Sequence, residues 1–298
     1  MVDASGARRL LALAHVASRV EAGPPVPPAT RVTVHFHPDR LVAGRPLLEV
    51  LIEENLYRSQ FVTGTSNGGF DPAPGGRRHA WESRMFGGAY DHGPASERPI
   101  YGSLNHRLEP AGGSVRFGSS HLVLRGDVLP RTTFCYPDSV HEPTAFGTGE
   151  RMPLVETALS HHDVDVLDDY IEAHVHGPLR LDTDVEALVL DPSFRGTELD
   201  AIVCRAPVPV RWHHGFELSS SRFDHCADYR GPHIADLARS VARDGRLTAY
   251  IVGQAANTGE HDDQHIKQLW HCVARFGHDW SDRPGAATSP AEGRIGRG

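Results

Sequence analysis

Two histidines near the start of the chain have the spacing of a binding site. His35 and His37 lie in the stretch RVTVHFHPDR, residues 31–40, where apolar and polar residues alternate as in a half-buried strand. Pro38 cannot donate to a sheet ladder, so the strand is predicted to end there, with Arg40 at its exit. Because alternate residues of a strand project from one face, both imidazoles are expected on the same wall of a site.

A carboxylate and two further histidines lie on a second predicted strand, YIEAHVHG, residues 170–177. Glu172, His174 and His176 alternate there with apolar residues, so they are predicted to share one face. These side chains are therefore the second group along the chain that could do chemistry.

A small polar turn follows the first strand and a predicted helix that begins at Pro46. Thr65, Ser66 and Asn67 lie in the sequence GTSNG, which formally matches the nucleophile elbow of serine hydrolases. That motif requires a helix directly after the serine. Residues 69–76 are rich in glycine and proline and cannot form one, so the serine-hydrolase interpretation is excluded.

Composition excludes several classes of protein. The 298 residues carry a net charge of −8, which offers no general attraction for nucleic acid or an anionic membrane. The four cysteines are far apart, without a CxxC pair, so they indicate reduced thiols rather than a zinc ribbon. No apolar run approaches the length of a membrane helix, about 18 residues, and no secretory signal is visible, so a cytoplasmic protein is expected.

The pattern of apolar residues predicts a mixed α and β chain. Residues 75–120 show neither a helical nor a strand period and interleave aromatic residues, arginines and glycines, which favours a ligand-binding excursion. The predicted domains are a helix and Pro-rich linker over 1–30, one catalytic domain over 31–277, and a disordered tail over 278–298. The predicted elements include helices over 7–21, Pro232 to Arg243 and Asp263 to Phe276, and strands over Ser120–Arg125 and Thr132–Tyr136. The stripe of the first helix is Leu10, Leu11, Ala14, Ala17 and Val20.

Six blocks along the chain resemble an uncharacterised bacterial domain family. They are HFHPDR, YRSQFVTGTSNGG, WESRMFGGAYD, RPIYGSLN, FGSSHLVLR and YIEAHVHG, and the resemblance covers about residues 31–277. At the level of the fold, a histidine on the first strand, a hydroxyl-rich segment and a lone glutamate on a late strand are similar to the ADP-ribosyltransferase superfamily. This resemblance implies an α+β fold with a split, mainly antiparallel β-sheet core and flanking N- and C-terminal helices.

The resemblance also implies a substrate and roles for particular residues. The substrate would be NAD, with Glu172 catalytic, His35 holding a ribose, and Thr65 and Ser66 on the hydroxyl-rich segment. Tyr101, or else Tyr90, would stack on the nicotinamide. Tyr170 stands where arginine-modifying members have a second acid, so the acceptor stays open between a protein side chain, nucleic acid, a small molecule and water. The remaining predicted cofactor-binding residues are His37, Arg40, Asn67, Arg84, Asn105 and His174, with Arg58 as a further candidate for the pyrophosphate.

Two other classes of function fit parts of the pattern. A metal-dependent hydrolase would use His35 and His37 as ligands, joined by His174, His176, Glu172 and a distant aspartate such as Asp224. The barrel of such hydrolases needs eight strand–helix units, and residues 60–135 show no helical pattern. A non-catalytic binding or toxin-neutralising module would use residues 81–107 as a recognition surface. The residues do not distinguish a toxin or effector from a housekeeping enzyme.

Overall fold

The computed structural model describes residues 4–63, 75–161 and 164–280. The strands are β1 (Val32–Phe36), β2 (Leu41–Val42), β3 (Arg45–Pro46), β4 (Leu56–Tyr57), β5 (Ile100–Leu104), β6 (Ser120–Leu124), β7 (Thr132–Tyr136), β8 (Ala145–Thr148), β9 (Ile171–Val175), β10 (Leu179–Arg180), β11 (Val185–Leu190), β12 (Val210–Trp212), β13 (Glu217–Ser219) and β14 (Arg246–Thr248). The helices are α1 (Ala4–Ala17), α2 (Leu47–Glu54), α3 (Gln60–Thr63), α4 (Arg77–Met85), α5 (Leu154–Ser160), α6 (Leu181–Asp184), α7 (Leu199–Val203), α8 (Asp224–Arg230), α9 (Pro232–Val241), α10 (Ala249–Asn257) and α11 (Asp263–Phe276).

Eight strands form one sheet in the order β12-β11-β6-β1-β5-β9-β7-β8. Neighbouring strands are antiparallel, except β11 and β12, which are parallel. The predicted class, α+β with a mainly antiparallel sheet, is therefore confirmed. The predicted division of the sheet is not observed in the described part of the chain, because β1 pairs with both β5 and β6 and so joins the two halves.

One face of this sheet belongs to the main hydrophobic core. Its side chains alternate along each strand, and the core also contains side chains from α2, α5, α9 and α11. The strand residues of this face include Val34, Phe36, Ile100, Leu104, Leu122, Phe134, Ile171, Ala173 and Val175, each at most 4% exposed.

The opposite face of the sheet is also buried, but it is polar. The strand register places the polar side chains of this face next to one another in one continuous patch. A small apolar cluster covers part of this face, with Ala12 and Val16 from α1 and Trp81 and Met85 from α4. Buried polar groups are costly unless they are hydrogen-bonded, so the side chains of this patch need hydrogen-bond partners within it. Its members are Thr33, His35, Tyr101, Ser103, His121, Thr133, Cys135, Glu172 and His174.

The prediction of irregular structure over residues 75–120 is wrong, because this segment contains α4 and β5. The buried face of α4 contains two charged residues, Arg78 and Glu82, beside Trp81 and Met85. The buried residues have helical spacing, but the two charged residues interrupt the apolar stripe by which a buried helix face is usually recognised. Glu82 is accommodated because it pairs with the buried Arg98, N–O 2.5 Å, which lies 16 residues further along the chain and outside the helix.

The ends of the chain differ in detail from the predictions. Helix α1 buries Ala12 and Val16, whereas Leu10 and Leu11 are 53% and 64% exposed, so the predicted apolar face is wrong. The two predicted C-terminal helices are confirmed as α9 and α11. The described packing extends beyond the predicted domain end, since the indole of Trp280 donates to the carbonyl of Ala274. Across the described ranges, every helix is too short or too polar to span a membrane.

Candidate functional site

A cavity of about 400 Å³ opens on the polar face of the sheet. His35, Tyr101 and Glu172, from the three adjacent strands β1, β5 and β9, all line it. Arg78 from α4 and Ser139, just beyond β7, complete the wall around the glutamate. Three side chains that the sequence analysis assigned to one site are therefore brought together.

Glu172 is fixed by hydrogen bonds on both carboxylate oxygens. Its Oε1 accepts from His174 Nε2 at 2.9 Å, and its Oε2 accepts from Ser139 Oγ at 2.9 Å and from Ser139 N at 3.3 Å. Ser139 Oγ also accepts from Arg78 Nη1 at 2.7 Å. Burial by itself raises the pKa of Glu172, but the bonds from His174 and Ser139 and the positive charge of Arg78 outweigh it and lower that pKa. The carboxylate is therefore ionised and held in one orientation.

A chain of hydrogen bonds continues from Glu172 into the interior. Thr133 Oγ1 lies 3.3 Å from His174 Nδ1 and 3.0 Å from His176 Nε2, and His176 Nδ1 lies 2.7 Å from the hydroxyl of Tyr90. When each ring carries one proton, Tyr90 donates to His176, His176 to Thr133, Thr133 to His174, and His174 to Glu172. Every ring nitrogen then has a partner. The chain thus fixes the orientation of His174 beside the carboxylate.

Tyr101 is held beside this group by charged neighbours. The Arg78 guanidinium lies 4.5 Å above its ring, and its hydroxyl donates to Glu82 Oε1 at 2.9 Å. Burial raises the pKa of Glu82 to about 7, although Arg98 acts in the opposite direction. Burial also raises the pKa of Tyr101 well above its ordinary value. The phenol therefore stays protonated and is positioned with one ring face against a cation.

The two histidines of the first strand have different surroundings. His35 Nδ1 donates to the carbonyl of Gly118 at 3.0 Å, and its Nε2 accepts from the N–H of Ser114 at 3.2 Å. Both nitrogens are thus occupied, and burial lowers the pKa of His35 to about 4. His37 lies just beyond β1, and its ring stands edge-on to Trp270. Burial, then the charge of Arg40, lowers the pKa of His37 to about 3.

These buried neutral histidines predict that the protein loses stability in acid. A histidine with a folded-state pKa below 6.5 binds more protons when unfolded, so its contribution to stability rises with pH up to about 6.5. Raised carboxyl pKa values oppose this trend up to about pH 7, but they belong to fewer groups. The histidines with lowered pKa are His35, His37, His121, His176, His213, His271 and His278, and the opposing carboxyls are Asp39, Glu82 and Asp191.

We expect the free energy of unfolding to rise by about 1 kcal/mol or more per pH unit between pH 4.5 and 6.5. Urea titrations monitored by circular dichroism at several pH values would measure this slope. His35→Asn should make the slope shallower, because it removes one of the titrating groups. A flat or falling profile over this range would contradict the expectation.

Other predicted site residues lie apart from the glutamate. Arg40, Arg58 and His37 line the cavity, and Arg58 pairs at its rim with Glu54. Arg84 does not line it; its exposed side chain pairs with Glu142 at 3.1 Å. Asn105 is also outside, where its side chain bonds the backbone of Glu109. Thr65, Ser66 and Asn67 lie outside the described residues, so their predicted role is untested.

The sequence analysis missed Arg78 and Ser139. Arg78 was hidden because helix α4 was not predicted. Ser139 follows the predicted strand β7 through Pro137 and Asp138, and the Asp138 side chain accepts from the N–H of Val140. An aspartate and a serine directly after a strand are typical of a capped turn, which was the available signal. Nothing local, however, indicates that this turn lies beside Glu172.

A metal ion has one possible set of ligands within the part of the chain that is described. Cys135 Sγ, a Glu172 oxygen and a His174 nitrogen lie within 4.8 Å of one another, and all three residues are buried. Burial raises the pKa of the Cys135 thiol well above its ordinary value, and only the thiolate is a good ligand. His35 and His37 are not part of this group. Asp224 lies on the surface, paired with Arg239.

The fold and the site define an α+β protein whose antiparallel sheet presents a buried polar face, with an ionised glutamate, to a cavity. The family described as "Protein of unknown function (DUF3626)" matches residues 31–163 and 150–276. The chain therefore belongs to this family, which confirms the predicted membership of an uncharacterised domain family. A search of curated proteins finds no match.

Proposed function

We propose that this protein is an ADP-ribosyltransferase-like enzyme that uses NAD as its substrate. The observation that carries the proposal is the ionised Glu172, which lies with Tyr101 and Arg78 in one cavity. In the reaction, the bond between ribose C1′ and the nicotinamide nitrogen breaks, and its electron pair leaves with nicotinamide. The acceptor then adds to C1′ and loses a proton, or water adds and free ADP-ribose forms.

Glu172 would act on the positive charge that develops on the ribose. A fixed carboxylate in a site from which water is largely excluded stabilises such charge better than solvent does. Ser139 and His174 keep the carboxylate in place at 2.9 Å, so no reorganisation is needed during bond breaking. Tyr101 would supply the aromatic ring for stacking; its ring already contacts the Arg78 guanidinium and stands edge-to-face with His174.

The remaining groups would bind the rest of the substrate. Arg40 and Arg58 also line the cavity, and guanidinium groups suit a pyrophosphate because they donate two parallel hydrogen bonds. Both ring nitrogens of His35 already have hydrogen-bond partners. We therefore propose that His35 shapes the wall of the cavity and does not bond directly to a ribose. The four cysteines are free, which favours a cytoplasmic place of action, where NAD is available.

Nicotinamide release from NAD tests the proposal directly. Purified protein is incubated with NAD, with and without prior treatment with a chelator, and nicotinamide and ADP-ribose are separated by chromatography. We expect release that the chelator does not change. Absence of both release and NAD binding would overturn the proposal. Release that is lost with the chelator and restored by zinc would instead support a metal-dependent enzyme at Cys135, Glu172 and His174.

A further inference from the structure

A second cavity, of about 300 Å³, lies beside the first. His37, Arg40 and Arg116 line both cavities, so the two adjoin along these side chains. The far wall is formed by α10 and α11, which contribute Lys267 and Trp270 among others. This space is separate from Glu172, which lines only the first cavity.

The second cavity contains a carboxylate for which the fold provides no partner. Asp39 is 3% exposed, and neither of its carboxylate oxygens has a hydrogen bond within the described structure. A Cβ atom at position 253 would lie 1.7 Å from Asp39 Oδ2, so Gly253 leaves the room that this side chain occupies. A buried carboxylate without a partner costs stability, and burial raises the pKa of Asp39 to about 7. Packing alone gives no reason for an aspartate at this position.

The other charged side chains that line the cavity are three cations and one exposed carboxylate, Asp263. Arg40 and Arg116 lie where it meets the first cavity, and Lys267 lines it further along. Arg116 also contacts Asp168. Burial, followed by the charges of Arg116 and Arg230, lowers the pKa of Lys267 to about 8. An anionic group would be favoured at this junction, whereas a simple metal cation would be repelled.

We propose that the second cavity binds the nucleoside half of a nucleotide substrate whose phosphates lie at Arg40 and Arg116. Paired N–H or O–H donors of the base or sugar would then bind the two oxygens of Asp39. A carboxylate is a usual acceptor for ribose hydroxyls and for amino groups of bases. Inorganic phosphate alone would leave the Asp39 carboxylate without a hydrogen-bond partner. A ligand that carries only an amine would be repelled by the arginines. The ligand must therefore carry both kinds of group.

This inference rests on the proposed function in one respect only, which is that the complete ligand is named as NAD. The second cavity would hold the half of NAD that is not cleaved, while Glu172 acts on the other half. Adenosine 5′-monophosphate carries the donors and the phosphate but lacks the bond to be broken. It therefore tests the second cavity independently of any turnover.

Calorimetric titration with adenosine 5′-monophosphate and with inorganic phosphate provides the test. We expect Asp39→Asn to weaken the monophosphate at least about 10-fold while leaving phosphate binding unchanged, since the lost acceptor bonds are made only by the nucleoside. The same variant, without ligand, should melt about 2 °C or more higher at pH 8, because a buried unpartnered charge is removed. Asp236→Asn, on the exposed surface of α9 and outside both cavities, is the matched control and should change neither.

The possible outcomes separate this inference from the proposed function. Unchanged monophosphate affinity in Asp39→Asn would overturn the inference, even if NAD is cleaved. Binding that depends on Asp39 in a protein that does not cleave NAD would uphold the inference and reject only the proposed reaction. If Asp39→Asn does not fold, Lys267→Met replaces it. That variant should weaken both ligands, and unchanged binding of both would overturn the inference.

Discussion

Glu172→Gln is expected to lower the rate of nicotinamide release from NAD by a factor of about 100 to 1000. The substitution removes the negative charge but keeps the size of the side chain and an oxygen that can accept from Ser139. The binding of NAD in its ground state should change little, because the positive charge that the carboxylate stabilises develops only in the transition state. The loss should therefore appear in kcat, with a smaller change in KM.

Glu54→Gln is the matched control for this variant. Glu54 lines the same cavity at its rim, where it pairs with Arg58 at 2.6 Å. Its side chain is 36% exposed, so solvent screens its charge and its removal should leave kcat unchanged. Steady-state kinetics on both variants, with melting curves to verify folding, makes the comparison. A Glu172→Gln enzyme with wild-type kcat would rule out an electrostatic role for this carboxylate.

Arg98→Met is expected to reduce the free energy of unfolding by about 3 to 5 kcal/mol. Arg98 and Glu82 are 5% and 1% exposed, and Arg98 also donates to the carbonyl of Tyr90 at 3.2 Å. Removing the guanidinium leaves Glu82 buried without its cation and that carbonyl without its donor. Because Glu82 can escape the penalty by binding a proton, the loss should be larger at pH 8 than at pH 5.5.

Arg84→Met provides the control for the stability change. It forms an ion pair of the same kind with Glu142, at a longer N–O distance of 3.1 Å, and the two side chains are 55% and 62% exposed. We expect this variant to lose less than about 1 kcal/mol, since exposed ion pairs contribute little. Urea unfolding of the two variants at pH 5.5 and pH 8 measures both effects. Equal losses would show that burial is not what makes the Arg98 pair important.

Local patterns were sufficient to predict two of the three strands that carry the site, β1 and β9, but not β5, which carries Tyr101. Alternation in β1 and β9 correctly predicted that Glu172 and His174 share a face, because that relation depends on only a few consecutive residues. Helix α4 was missed for the opposite reason. Its buried charges are compatible with the interior only through partners far along the chain, and Ser139, the partner of Arg78, is 61 residues away.

The composition of the site was harder to predict than its position. Three arginines, Arg40, Arg58 and Arg84, were predicted as candidates to bind the pyrophosphate, and a sequence alone does not tell which of them turns inward. Arg84 lies outside and Arg78, six positions earlier on the same helix, lies inside, because a helix places them on different faces. For His35, the strand period indicates the face, but the bond to Ser114 depends on a loop 79 residues away.

The two faces of the sheet should differ in how freely their sequence can change during evolution. On the apolar face, Val34, Leu122 and Ile171 have neighbours that require only volume, so exchanges among aliphatic residues should be accepted at small cost. On the polar face, Thr133 contacts two imidazoles, and no other residue of its size supplies both a donor and an acceptor except serine. New specificities in this family should therefore arise from the loops and helices that border the cavity, while the inner surface of the sheet stays fixed.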